Sequence, residues 1–183
     1  MTRWLALALL LAAPSALAFD LDALMQALRA VPERHARFEE TKRIALLAGP
    51  IVRRGTLDYV RPDRLVMRVD TPYFERLEVA GDALTLERRS GVTRVALASQ
   101  PQVAAWIESL RATLAGDRAG LEGHFQVVLD GTAADWRMAL TPRDPTLAGV
   151  VARVTIAGRA AEVVRFEMEE VKGDSTVVVI TPR

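Results

Sequence analysis

The chain has 183 residues, 24 basic and 23 acidic side chains, two histidines and no cysteine. Its length suits one domain large enough to bury a core without staples. Balanced charge gives no overall attraction to nucleic acid or to an anionic membrane, and the absence of cysteine, with only two distant histidines, leaves no material for disulfides, a zinc site or a histidine-based triad.

Residues 1–18 read as a secretory signal peptide. Arg3 precedes an apolar run from Trp4 to Ala13, Pro14 breaks the run, and Ala16-Leu17-Ala18 offers a small-x-small cleavage site. The run falls well short of the roughly 20 residues a membrane-spanning helix needs. The mature chain, 19–183, is expected to be exported without a lipid anchor, because no cysteine follows the cleavage site. Removal of Arg3 leaves 23 basic against 23 acidic side chains, so the mature protein is close to neutral.

The mature chain opens with an amphipathic helix from Phe19 to Val31, with Leu21, Leu24, Met25 and Leu28 at helical spacing, Asp20 as N-cap and Pro32 at the end. A strand from Ala36 to Leu47 turns at Ala48-Gly49-Pro50 into Ile51 to Val60. The clearest segment runs from Arg54 to Val69: Leu57 and Tyr59 alternate with polar residues before Pro62-Asp63, and Leu65, Met67 and Val69 after it, which predicts a hairpin with one apolar face. Strands follow at Glu75 to Ala80, at Leu84 and Leu86, and from Val92 to Leu97. The stripe Val103, Trp106, Ile107, Leu110 and Leu114 predicts a second helix over Pro101 to Ala115, ended by Gly116. Asp117 to Gly123 reads as a turn, and His124 as the opening of a strand. Alternation resumes with Phe125, Val127 and Leu129, then Trp136, Met138 and Leu140. After a loop bracketed by Pro142 and Pro145, three more strands run from Val150 to Ile156, Val163 to Val171 and Ser175 to Thr181.

Ten or eleven strands with two principal helices make an α+β chain. A meander of that length curls under its own twist, giving an unclosed antiparallel half-barrel whose concave apolar face the helices cover. Its inward set is Leu57, Tyr59, Leu65, Met67, Val69, Leu77, Val79, Leu84, Leu86, Trp136 and Met138, roofed by Trp106, Leu110 and Leu114. Pattern alone fits an ordinary filled core as well as a cavity.

The order of several segments resembles the periplasmic outer-membrane lipoprotein carrier family (LolA-like), in its divergent branch. They are the signal peptide, R-F-E-E-T (Arg37 to Thr41), G-x-L-x-Y-x-R-P (Gly55 to Pro62), L-E-V-A-G-D-A-L-T-L (Leu77 to Leu86), A-T-L-A-G-D (Ala112 to Asp117) and W-R-M-A-L-T-P-R-D (Trp136 to Asp144). The resemblance implies a periplasmic, non-enzymatic, monomeric carrier without a cofactor. Its interior would take up the acyl chains of a lipoprotein or glycolipid cargo, received from an inner-membrane releasing machine and yielded to an outer-membrane acceptor. It also implies that Arg61, the arginine before the proline, bonds to the lid and holds the empty cavity shut. Two departures bear on the cargo: Glu40 stands where typical members have glutamine, and Leu84-Thr85-Leu86 where they have a tryptophan-containing strand.

Rival signals are local. Gly173-Asp174-Ser175 resembles the G-D-S of one esterase family but sits between two strands, as a hairpin turn would. Glu39-Glu40 and Glu169-Glu170 each point to opposite faces of a strand, while Glu167 and Glu169 share an outer face, so neither cluster reads as an acid/base pair. His35 lies in an expected loop. Arg53-Arg54 and Arg88-Arg89 read as outer face and turns of the meander. A filled scaffold module of an envelope assembly is the alternative reading, and a lipid hydrolase a third.

Overall fold

The computed structural model describes residues 19–183; the predicted signal peptide lies outside them. Eleven strands form one antiparallel sheet. They are β1 (Glu33–Arg43), β2 (Ile51–Val60), β3 (Arg64–Thr71), β4 (Glu75–Ala80), β5 (Ala83–Arg88), β6 (Gly91–Ala96), β7 (Phe125–Thr132), β8 (Asp135–Pro142), β9 (Val151–Arg159), β10 (Glu162–Glu170) and β11 (Ser175–Pro182). Their order is β6-β5-β4-β3-β2-β1-β11-β10-β9-β8-β7, so the chain runs out to one edge, crosses, and returns until β11 pairs with β1. The edges β6 and β7 are not paired to each other, and the sheet stays unclosed.

Four helices accompany it: α1 (Leu21–Arg29), α2 (Pro101–Ala115), α3 (Arg118–His124) and α4 (Pro145–Ala148). Helix α2 begins with Pro101 and stops at Gly116, whose left-handed φ of 63° suits glycine. A side chain at Gly116 would also meet the Met25 carbonyl at 2.2 Å, so the glycine lets α1 and α2 approach closely. The polar residues that α2 buries, Ser109 and Thr113, donate to carbonyls of their own helix.

One apolar cluster joins α1, α2, α3 and the concave side of the sheet. Leu24, Met25 and Leu28 enter it from α1; Trp106, Ile107, Leu110 and Leu114 enter from α2. Trp106 meets the edge of Phe166 with ring centroids 5.9 Å apart.

Several local expectations are corrected. Asp117 to Gly123 is the body of a capped helix rather than a turn, since Asp117 accepts the Gly120 N–H at 3.0 Å. The Pro142–Pro145 loop contains α4, capped by Asp144 through the Leu147 N–H at 2.9 Å. His35 lies within β1, 2.7 Å from Asp58 on an exposed surface, and His124 ends α3 instead of opening β7. The first strand starts at Glu33 and ends at Arg43, so the turn before β2 is longer than three residues.

Candidate functional site

Strand register assembles the concave face. Leu57 faces Met67, which faces Leu77, which faces Leu86; beside that row, Tyr59 faces Leu65, then Val79, then Leu84. Val69 continues the face on β3. Trp136 and Met138 extend it on β8, Trp136 lying over Gly158, where a side chain would strike the indole at 2.2 Å. The Trp136 indole N–H is satisfied by the Ala160 carbonyl. Of the fourteen apolar residues singled out from sequence, all are buried except Leu77 and Leu86, which are half-buried. Trp106, Leu110 and Leu114 cover the face from α2.

Space between lid and sheet is small in this conformation. A cavity of about 120 Å³ lies between Met67, Leu77 and Met168 on the sheet and Val103 and Trp106 on α2. It has room for about four water-sized groups. A pocket of about 30 Å³ sits deeper, against Arg34, Leu57, Tyr59, Leu110 and Leu114. Neither is large enough to enclose a long acyl chain.

The lid is fastened by guanidinium groups reaching helix carbonyls. Arg61 donates to the Arg29 carbonyl, the last of α1, at 2.7 Å. The larger node was not singled out from sequence: Arg34 donates to the carbonyls of Leu28, Val31, Leu114 and Ala161, at 2.9, 3.3, 3.0 and 3.2 Å. Its fork thus ties α1, α2 and the β9–β10 turn together. Burial holds the Arg34 guanidinium below its ordinary pKa, against the opposing pull of Glu162 and Tyr59. Arg29 donates to the Gly116 carbonyl at 2.6 Å, and Arg111 to that of Gly81 at 2.8 Å. All of these contacts fall at the C-terminal ends of α1 and α2. Among the described residues, no side-chain hydrogen bond ties the first two turns of α2 to the sheet.

A line of charges crosses the other end of the concave face. Arg88 bonds Glu75 at 2.7 Å, Glu75 bonds Arg53 at 3.1 Å, and Arg53 forks onto both oxygens of the buried Glu40 at 2.7 Å. Lys42 lies 3.8 Å from Glu170. Arg53 therefore faces inward, contrary to its reading as outer face, sharing its side of β2 with Gly55, Leu57 and Tyr59, while Arg88 ends β5 beside the turn and stays exposed. Glu39, by contrast, points outward to Arg54, and Glu167 is held by Arg137 and Arg165. Among the described residues no cluster of three His, Cys, Asp or Glu could hold a metal ion. Gly173-Asp174-Ser175 is a hairpin turn, with Gly173 at φ 91° and the Glu170 carbonyl accepting its N–H.

An unclosed antiparallel sheet with a lidded apolar concave face defines the class: it is the fold of the lipoprotein-carrier superfamily. The chain belongs to the LolA-like family, since a family model described as outer membrane lipoprotein carrier protein LolA-like matches residues 12–181. No curated protein matches the sequence. Among solved structures, a putative outer membrane lipoprotein-sorting protein domain from Vibrio parahaemolyticus is 10% identical, with 87% of this chain and 88% of that one covered and a TM-score of 0.52. A LolA superfamily protein from Nitrosomonas europaea is 11% identical over 88% and 89% of the two chains, with a TM-score of 0.48. The lipoprotein LppX of Mycobacterium tuberculosis is 9% identical over 87% and 90%, with a TM-score of 0.44.

Proposed function

We propose that residues 19–183 form a single-domain periplasmic carrier, exported by the signal peptide of residues 1–18. It binds the acyl chains of a lipoprotein or glycolipid between the sheet and α2, and carries them from an inner-membrane releasing machine to an outer-membrane acceptor. The observation that carries this reading is the concave apolar face, roofed by a helix that polar fasteners hold at one end only. Rows of Leu, Met and Tyr side chains offer smooth apolar contact, and methionines adapt to a flexible chain. The half of α2 beside the 120 Å³ cavity is free to lift. No reaction is part of this reading; the work is exchange of one apolar surface for another.

The small volume of the closed cavity favours the second reading, a filled scaffold module. Native mass spectrometry of the protein purified from its own periplasm, followed by lipid extraction, separates the two. A stoichiometric acylated adduct supports carriage and identifies the cargo class. A clean apo mass, with no uptake of a fluorescent fatty-acyl probe, favours the scaffold.

A further inference from the structure

Nine large hydrophobic side chains are exposed among the described residues, and six of them gather at one end of the sheet. At this end β1 turns into β2, β3 into β4, β5 into β6 and β10 into β11, and the strand order sets the four turns side by side. Leu46 and Leu47 form the tip of the first turn, 95% and 51% exposed, with Ile51 behind them; Tyr73 tips the second at 78%, Val92 follows the third at 68%, and Val171 opens the fourth at 55%. The turns form a continuous rim. Asp174 of the fourth accepts the Ala45 N–H of the first at 2.9 Å, and Ile51, Tyr73 and Arg89 line one shared recess. The other three exposed residues, Val60, Val128 and Val179, stand apart from this end, as single exposed hydrophobics ordinarily do.

Glu75 and Glu170, which flank the turns, are paired with Arg53, Arg88 and Lys42, and Asp174 is tied to Ala45. Asp70, beside the second turn, is paired with Arg68; the charges left exposed without an ion pair in or beside the turns are three basic, Arg43, Arg89 and Lys172, and one acidic, Glu169, level with Arg43 across Ser175.

We propose that this rim docks on a lipid bilayer, its apolar tips entering the boundary between headgroups and acyl chains while Arg43, Arg89 and Lys172 lie against anionic headgroups. Separate tips on four turns suit a fluid surface that closes around each, and Tyr73 combines an apolar ring with a hydroxyl that stays wet. The near-neutral chain keeps such contact reversible, with the cations adding a salt-sensitive part. Arg53 walls both the rim recess and the 120 Å³ cavity, so docking brings that cavity next to the bilayer. The rim's exposed tips lie outside the concave face, so their docking does not depend on acyl chains binding there.

Co-sedimentation of the exported full chain with vesicles tests it, comparing pure phosphatidylcholine with phosphatidylethanolamine–phosphatidylglycerol. We expect binding to both, several-fold stronger to the anionic vesicles at low salt. The triple variant L46D/L47D/Y73D should lower binding to either at least tenfold with an unchanged melting temperature, because these side chains support no core. R43E/R89E/K172E should abolish only the preference for anionic lipid. No sedimentation with either vesicle, or equal sedimentation of the tip variant, overturns the proposal. So does a tip variant that loses only cross-linking to a membrane protein, which would make the rim a protein-docking surface. Acyl-probe uptake in solution, measured on the same variants, reports the concave face separately and should not change.

Discussion

Replacing Arg34 with methionine keeps most of the apolar stem and removes a fork that donates to four carbonyls on three elements. The two shorter bonds, to Leu28 at 2.9 Å and Leu114 at 3.0 Å, come from a charged donor. Each such bond is worth about 1.5–3 kcal/mol, the two longer ones less, and water can reach part of the vacated site because Arg34 is only half-buried. The expected net loss is about 3–4 kcal/mol, a large share of the roughly 5–15 kcal/mol that holds a domain together. Lysine at this position should recover less than half, since one ammonium cannot span carbonyls that a planar fork reaches at once. Urea unfolding followed by circular dichroism gives the value, and an unchanged m-value shows that the same surface is exposed on unfolding. The same variant should take up a fluorescent acyl probe faster than the parent. A loss below about 1 kcal/mol with unaltered uptake would refute the reasoning, because the carbonyls would then be served by water and the fork would hold nothing.

Arg61→Leu removes a single bond at an exposed site, so stability should fall by about 1 kcal/mol or less. Lipid uptake should be retained or increased while release to an acceptor fails; unchanged uptake and release would remove Arg61 from the mechanism. Burial raises the Tyr59 phenol above its ordinary pKa despite the nearby Arg61, Arg34 and Arg111, and its hydroxyl donates to the Pro62 carbonyl at 3.0 Å. A folded value above the unfolded one gives stability that is fully present below about pH 10 and is lost as pH rises beyond it; Tyr59→Phe should flatten this alkaline decline in urea titrations. Glu40→Ala leaves Arg53 without its buried partner and should cost about 3 kcal/mol, whereas Glu40→Leu with Arg53→Met should be neutral or stabilising while shrinking the cavity and slowing probe uptake.

The strands were legible because their alternation is regular: Ile51–Val60 and Glu75–Ala80 begin and end where the pattern does, as does the Pro101–Ala115 helix between its proline and glycine. Helix α3 was not, since Gly120 and Gly123 fall within seven residues and only Leu121 reaches the core, leaving its Asp117 cap as the signal. Arg34 is hidden in the sequence for a different reason. A charged residue before a strand reads as solvated, and its burial depends on carbonyls 80 and 127 residues further along the chain. Arg53 is legible from the same period, since the alternation that places Leu57 and Tyr59 inward also places Arg53 there, although its charge points to solvent. Its partner Glu75 lies on β4, two strands away, where only the folded sheet brings them together.

On the carrier reading, the energies of lid and cargo must be similar for transfer to run both ways. Trp106, Ile107, Leu110 and Leu114 cover the sheet from α2. At about 1.5–3 kcal/mol each, their burial is worth about 6–12 kcal/mol. A cargo chain of about a dozen methylenes at about 0.8 kcal/mol each offers about 10 kcal/mol on the same sheet surface. Neither surface wins decisively, and the apolar side of a lifted α2 still faces the cargo rather than water. The balance then rests on the polar fasteners. Arg34, Arg29 and Arg111 hold the C-terminal end of α2 to α1 and to the sheet, so on this reading that end would be the pivot and the unfastened turn carrying Val103 and Trp106 the part that swings. Cargo would then enter from the charged end of the concave face, where the paired Glu40 and Arg53 line the 120 Å³ cavity beneath Val103 and Trp106.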